Sequence, residues 1–434
     1  MSQQPARDSR RTFLKSSAAV VASGALASNV LASAAGVHTG AKSQPLRLGL
    51  VGCGGRGGGA VGDAFAADPD VTLVAMADVF PDHLQNKLRQ LKRQHGDRIA
   101  VNEEAQFTGF DAFQQMFDAN MVDVVILATP PHFRPTQLKA AVDAGLHVFC
   151  EKPVAVDAPG VRSVIETSKL AKEKGLNVVS GLCWRYDLGV AETMKRVMDG
   201  AIGDIVAIQE NYLTGELWHH GNKEEWSPME FQLRNWLYFT WLSGDHNVEQ
   251  HVHSLDKGSW LMGDKPPLRC VGLGGRQVRT NEKYGHIFDH HSVVYEYPNN
   301  VRMFSFTRQQ DNTHTNTEDY FLGTNGSCNV LAHEIRNRNG EVTWKYSGPK
   351  PSMYQVEHEH LFQAIHNNTP INNGDYMALS TMIAIMGRMA TYTGRSISWE
   401  EAINSDVVLG PQSYDWGPVD VPPVSIPGIT DNIG

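Results

Sequence analysis

Six residues constrain this chain more than any others. Gly52-Cys53-Gly54-Gly55-Arg56-Gly57 is a G-x-G-x-x-G run that follows the apolar, strand-like residues 46–51 and opens a helical stretch at 57–67. Each glycine in such a run has a use: a tight turn, close approach of backbone to a pyrophosphate, and close packing of helix on strand. The helix N-terminus then points its free N–H groups at the phosphate charge. In a chain with 40 glycines the hexapeptide alone is a weak signal. Asp78, at the end of a second apolar run at 71–77, completes the fingerprint, because a carboxylate there accepts hydrogen bonds from ribose hydroxyls and repels a 2′-phosphate. NAD is therefore expected rather than NADP.

The rhythm continues with strand-like runs at 122–128 and 147–150 and helical stretches at 81–95, 109–119 and 132–144, which implies a parallel sheet covered on both faces. Residues 46–155 read as this domain. Beyond it, helical periods at 157–174 and 188–199 flank a strand at 177–182. Residues 204–347 alternate in the manner of strands, with Tyr297-Pro298-Asn299-Asn300 as a hairpin turn. Helices follow at 356–367 and 376–394. The expected fold is α/β: an N-terminal Rossmann domain with a parallel sheet, then an α+β domain (156–410) with a large, mainly antiparallel open sheet. The Pro-rich tail 411–434 should lie extended on the surface or on a neighbouring subunit.

Length and balance agree. The chain has 434 residues, 41% of them hydrophobic and 20% charged, enough for a large core without covalent staples. The five cysteines are scattered, with no C-x-x-C pair, so neither a disulfide framework nor a thiolate zinc site is readable. A net charge of −9 opposes general affinity for nucleic acid.

Ser9-Arg10-Arg11-Thr12-Phe13-Leu14-Lys15, a weakly apolar run at 16–31 and Ala32-Ser33-Ala34 together resemble a twin-arginine signal peptide, residues 1–34, with 35–45 as a linker. The run is too short and too poor in Leu, Ile and Phe for a stable membrane span, which needs about 20 strongly apolar residues. Export through the twin-arginine machinery and a periplasmic location are the expectations.

Thr129-Pro130-Pro131-His132 and Glu151-Lys152-Pro153 each follow a parallel strand at its carboxyl end, where such sheets bind ligands. Residues 243–263 read as one helix, capped by Ser243 or Asp245 and stopped at Gly263. At 100° per residue Val248, Val252, Leu255, Ser259 and Met262 form its core stripe, and His246, Glu249, His253, Asp256 and Trp260 share the adjoining one. An imidazole titrates nearest neutrality and suits removal of a hydroxyl proton, so His253 is the candidate acid/base, oriented by Glu249 or Asp256 one turn away. A metal is the alternative use of Asp245, His246, Glu249 and His253, completed by His290 or His291. Arg185-Tyr186, Arg234-Asn235-Trp236 and Asp289-His290-His291 should line the same cleft.

The Gly-rich loop near the N-terminus, A-T-P-P-H at 128–132, E-K-P at 151–153 and a later His-bearing helix before a β-rich half resemble the Gfo/Idh/MocA oxidoreductases over nearly the whole mature chain. The resemblance implies that Lys152 lies beside nicotinamide and substrate, binds the reacting hydroxyl and lowers its pKa, after a Lys–Pro bond that is often cis. That family carries an Asp and a His four residues apart on the helix; this chain has Glu249 and His253, with His251 where Gly is common. Lys152, His253 and Glu249 are then the catalytic set. Gly52, Gly54, Gly55, Arg56, Gly57, Asp78, Thr129, Pro130, His132, Glu151 and Lys152 form the cofactor set. Arg185, Tyr186, Trp236, His246, Asp256, Trp260 and His290 form the substrate set.

The activity so implied is hydride transfer between a secondary hydroxyl of a sugar, glycoside or cyclitol and a tightly bound NAD, by a homo-oligomer. A redox-neutral NAD-dependent glycosidase and a sugar-binding protein with a vestigial dinucleotide fold are the alternatives.

Overall fold

The computed structural model describes residues 45–431, so the signal-like segment and nearly all of the linker fall outside the described residues. Six strands build the first sheet: β1 (Arg47–Val51), β2 (Thr72–Asp78), β3 (Gln106–Thr108), β4 (Val124–Leu127), β5 (His147–Cys150) and β6 (Val178–Ser180). All pair in parallel, in the order β3-β2-β1-β4-β5-β6. The helices α1 (Gly55–Ala67), α2 (Pro81–His95), α3 (Ala112–Asp118), α4 (Arg134–Asp143) and α5 (Ala158–Glu173) connect them. Because both faces are covered, β4 is an unbroken apolar run, and Val124, Val125, Ile126 and Leu127 are wholly buried. Strand order reverses between β1 and β4, which opens a crevice at their carboxyl ends.

The chain continues through α6 (Leu188–Met198), β7 (Ile205–Thr214), α7 (Pro228–Arg234), α8 (Thr240–Ser243), α9 (His246–Glu249), α10 (Val252–Leu261), β8 (Arg269–Gly275), β9 (His290–Glu296), β10 (Arg302–Gln309), β11 (Asp319–Gly323), β12 (Gly326–Asn329), β13 (Glu334–Asn337) and β14 (Val342–Lys345). It ends with α11 (Met353–His366), α12 (Gly374–Thr393), β15 (Ile397–Ser398), α13 (Trp399–Ile403) and an extended tail. The nine strands β7–β15 form one mixed sheet, antiparallel except for β7 against β10. α12 is buried along nearly its whole length between this sheet and α5. The hairpin at 297–300 joins β9 to β10, with Asn299 and Asn300 at positive φ.

Three features differ from the sequence expectation. The parallel sheet runs past residue 155, because the chain crosses over through α5 and adds β6 beside β5. β3 is only three residues long, too short to show a period. The helix expected over 243–263 is two helices, interrupted at Gln250–His251, where the His251 ring turns into the interior and meets the Ser305 hydroxyl at 2.6 Å.

Candidate active site

The glycine loop is forced by close approach. Gly52 sits at φ +96°, and a Cβ there would lie 2.7 Å from the backbone of Ala128 and Thr129. A Cβ on Gly57 would overlap the carbonyl oxygen of Gly52. Gly54 and Gly55 differ, since a Cβ on either would meet no atom within 4 Å and would project into the crevice they line. No side chain caps the start of α1, and its first turn carries no acid, so its leading N–H groups remain available to an anion. Asp78 lines the same crevice, its Oδ2 accepting from Cys53 N at 2.6 Å and its Oδ1 from Phe80 N at 2.8 Å. Burial raises its pKa, and those two N–H donors oppose the rise. The crevice holds about 440 Å³ and is lined by Phe80, Phe110, Phe133, Trp218, Leu233 and Arg234, with the Arg234 guanidinium 4.0 Å over the Phe80 ring. Glycine cradle, uncapped helix start and strand-end carboxylate fit a dinucleotide.

A second cavity of about 250 Å³ adjoins the first and shares Arg56, Ala128, Thr129 and Trp236 with it. Lys152 enters it from the end of β5, after which the Lys152–Pro153 bond is cis. Glu249 and His253 enter from α9 and α10. The Lys152 ammonium donates to Glu249 Oε1 at 2.9 Å and to the Glu249 carbonyl oxygen at 2.6 Å. Glu249 therefore holds the lysine, not the His253 ring as expected, because the interruption after Glu249 ends the helical register between the two. His253 is partly buried, and its Nδ1 has no hydrogen-bond partner among the described residues. Burial first, then the charges of Lys152, Lys257 and Arg56, push its pKa well below the ordinary imidazole value. The ring is neutral through neutrality and able to accept a proton.

Residues 46–182 match the family described as Gfo/Idh/MocA oxidoreductases with an NAD-binding Rossmann fold. That match spans the six-stranded parallel sheet and ends before the second lobe. The chain is 26% identical over 205 residues to 2,7-anhydro-N-acetylneuraminate hydratase of Escherichia coli, a match covering 47% of this chain and only half of that protein. It is 25% identical over 365 residues to a glycosyl hydrolase family 109 protein of Stenotrophomonas maltophilia, covering 80% and 74%. Among solved structures, aldose-aldose oxidoreductase from Caulobacter crescentus superposes with a TM-score of 0.64 at 19% identity, over 81% of this chain and 99% of that one. At that identity the superposition shows a shared two-domain fold.

Several predicted residues lie elsewhere than expected. In the Rossmann domain, Arg56 lines both cavities, but its guanidinium is held by Glu151, Asp63 and the buried Glu357. Glu151 and Thr129 line the second cavity, Thr129 and Pro130 the first. His132 is in neither lining: burial lowers its pKa to about 4, and its Nε2 meets the Tyr414 hydroxyl of the tail at 2.7 Å.

Of the substrate set only Trp236 lines either of these two cavities. Arg185 forms an ion pair with Asp256 at 2.8 Å and packs over Trp260 and Tyr376, while Tyr186 bonds Asn373. These groups satisfy one another in the interior. His290 bonds Asp289 instead of facing the cavity. Asp245, His246 and His291 do cluster, with ligand atoms within 4.8 Å of one another, but Glu249 and His253 stand outside the group. The Asp245 carboxylate already accepts from His246 N, Phe288 N and the Tyr392 hydroxyl, which is how a buried anion is stabilised without a metal.

Sequence reasoning missed Cys183, Arg134 and Tyr354 in the second cavity. It also missed the phenylalanines of the first. Phe80 and Phe110 follow β2 and β3, positions at strand carboxyl ends that could have marked them.

Proposed function

We propose that this protein is an NAD-dependent oxidoreductase acting on a secondary hydroxyl of a sugar, glycoside or cyclitol, with the dinucleotide retained through turnover. The observation that carries the reading is the meeting of Lys152, from the Rossmann lobe, with His253, from the second lobe, in one cavity that shares Arg56, Ala128, Thr129 and Trp236 with the glycine-lined crevice. Asp78, Gly54 and Gly55 would hold the adenosine and pyrophosphate portions, and Glu151 and Thr129 would neighbour the reactive ring. Bound there, the nicotinamide supplies a hydride acceptor for the carbinol carbon. Lys152, held by Glu249, donates a hydrogen bond to the substrate oxygen and stabilises the alkoxide character that develops on it. His253 receives the hydroxyl proton. Trp236 offers an apolar face to sugar C–H groups.

Export by the twin-arginine route belongs to the same proposal. Outside the cytoplasm no free NAD pool renews the cofactor, so a second substrate must reoxidise it or the oxidation must be reversed within one cycle. The 365-residue alignment with a glycosyl hydrolase family 109 protein favours a second reading, oxidation followed by elimination, hydration and re-reduction. The exposed Val271, Leu273 and Leu322 of the large sheet suit a homo-oligomer, which light scattering would report.

Denaturing the purified protein should release stoichiometric NAD. Rapid mixing with a panel of sugars and glycosides should then give a nicotinamide absorbance burst without free NADH. Release of one free NADH per substrate would overturn retention, and a preparation that neither holds nor binds NAD would overturn the enzymatic reading.

A further inference from the structure

The C-terminal tail makes contacts that packing of the two lobes does not require. Its entry is fixed where Leu409 N donates to Asp157 Oδ2 at 2.9 Å. Gly410 then turns at φ +106° against His132, so closely that a Cβ would lie 2.7 Å from the imidazole. Tyr414 bonds the same ring, stacks on Phe110 at 5.5 Å and leans on Phe133 at 5.5 Å. Trp416 packs on Phe110 at 4.9 Å and on Phe80 at 5.7 Å. Those three phenylalanines also line the crevice of the glycine loop.

Within a few residues the tail reaches α7. Gly417 O accepts from Met229 N at 3.3 Å and Val419 O from Gln232 Nε2 at 3.1 Å, both on α7, whose Leu233 and Arg234 also line the crevice. A single segment therefore ties the loops after β2, β3 and β4 to the second lobe. Yet Tyr414 and Trp416 are 41% and 46% exposed, so they are not core residues.

We propose that residues 410–419 are a latch that retains the dinucleotide, with Tyr414 and Trp416 as its positioning residues. This rests on the reading of the crevice as an NAD site. For the dinucleotide to leave, the crevice must open, and the tail joins the crevice-lining Phe110 and Phe133 to α7, beside the direct stack of Arg234 on Phe80. The latch acts on the exit rate and leaves the chemical groups at Lys152 and His253 untouched.

The test uses the full-length protein, a Tyr414→Ala/Trp416→Ala double variant and the conservative Trp416→Phe. Bound NADH is chased with excess NAD and its loss followed by fluorescence, beside circular-dichroism melting. The double variant should release NADH at least about tenfold faster, with its melting midpoint close to wild type, and Trp416→Phe should restore slow release. Equal release rates in wild type and double variant overturn the latch while leaving the NAD site intact. A wild type that binds no added NADH overturns the site reading itself. A double variant that releases fast only together with a collapsed melting midpoint also overturns the latch, since the tail would then be ordinary structural packing.

Discussion

Lys152 and Glu249 come from different lobes, and the lysine ammonium contacts both the carboxylate, at 2.9 Å, and the carbonyl oxygen, at 2.6 Å, of the same glutamate. The pair is about 15% exposed on each side, so the ammonium is aimed by protein rather than by water. Lys152→Met should lower kcat by about 10²–10⁴-fold, the range for a lost charge stabiliser or acid/base group, while NAD content stays near wild type. Glu249→Gln keeps the shape and weakens the hold, so a smaller loss is expected. Steady-state kinetics with bound-nucleotide assay check both, and an unchanged kcat in Lys152→Met would remove the lysine from the reaction.

His253 sets the acid side of the pH profile. Because burial and neighbouring cations lower its pKa, the ring stays unprotonated as pH falls through 6.5, and the acid limb of kcat/KM should lie below that value. The sign for stability follows. Below the ordinary imidazole pKa the unfolded chain takes up a proton that the folded ring refuses, so His253 contributes a loss of stability as pH drops. An acid limb centred at 6.5 would place the proton on another group.

Gly54 and Gly57 should separate binding from folding. Gly54→Ala meets no protein atom, so the fold should survive and NAD affinity should fall. Gly57→Ala drives a methyl into the Gly52 carbonyl and should cost about 1–3 kcal/mol of stability, as overpacking does. Calorimetry and NAD titration on the two variants distinguish the effects, and equal melting behaviour would contradict them.

Asp256 belongs to a buried ion pair, not to the reacting groups. Asp256→Ala leaves the Arg185 guanidinium with Asp264 as its remaining carboxylate and should cost about 1–3 kcal/mol. The folded fraction should keep an unchanged pH–rate profile. An altered profile with normal stability would return Asp256 to the site.

The glycine loop, Asp78 and His253 stand out in sequence because each depends on a local pattern, a turn, a strand end or a helix turn, whereas Lys152 comes only through the family resemblance. The substrate set was not readable, because an amphipathic projection assumes that polar residues on one stripe face solvent or ligand. α10 is instead enclosed on nearly all sides, so Asp256 turns to Arg185 and Ser380. His246, at the start of α9, is wholly buried against Asp245 and His291. Glu249 fell to Lys152 for a similar reason, since a two-residue interruption between α9 and α10 leaves no periodic trace. Parallel pairing of β7 with β10 was equally hidden, since neither strand encodes its neighbour.

That parallel pair has a kinetic consequence. Thr307 of β10 bonds the Tyr212 carbonyl of β7 across 95 residues of chain, so β7 cannot join the β9–β10 hairpin by a local turn. The nascent second lobe must close a long loop before its middle strands meet, and topologies of that sort assemble slowly. The Rossmann unit, built from short crossovers, should acquire protection from hydrogen exchange first during refolding, leaving the larger sheet as the rate-limiting half.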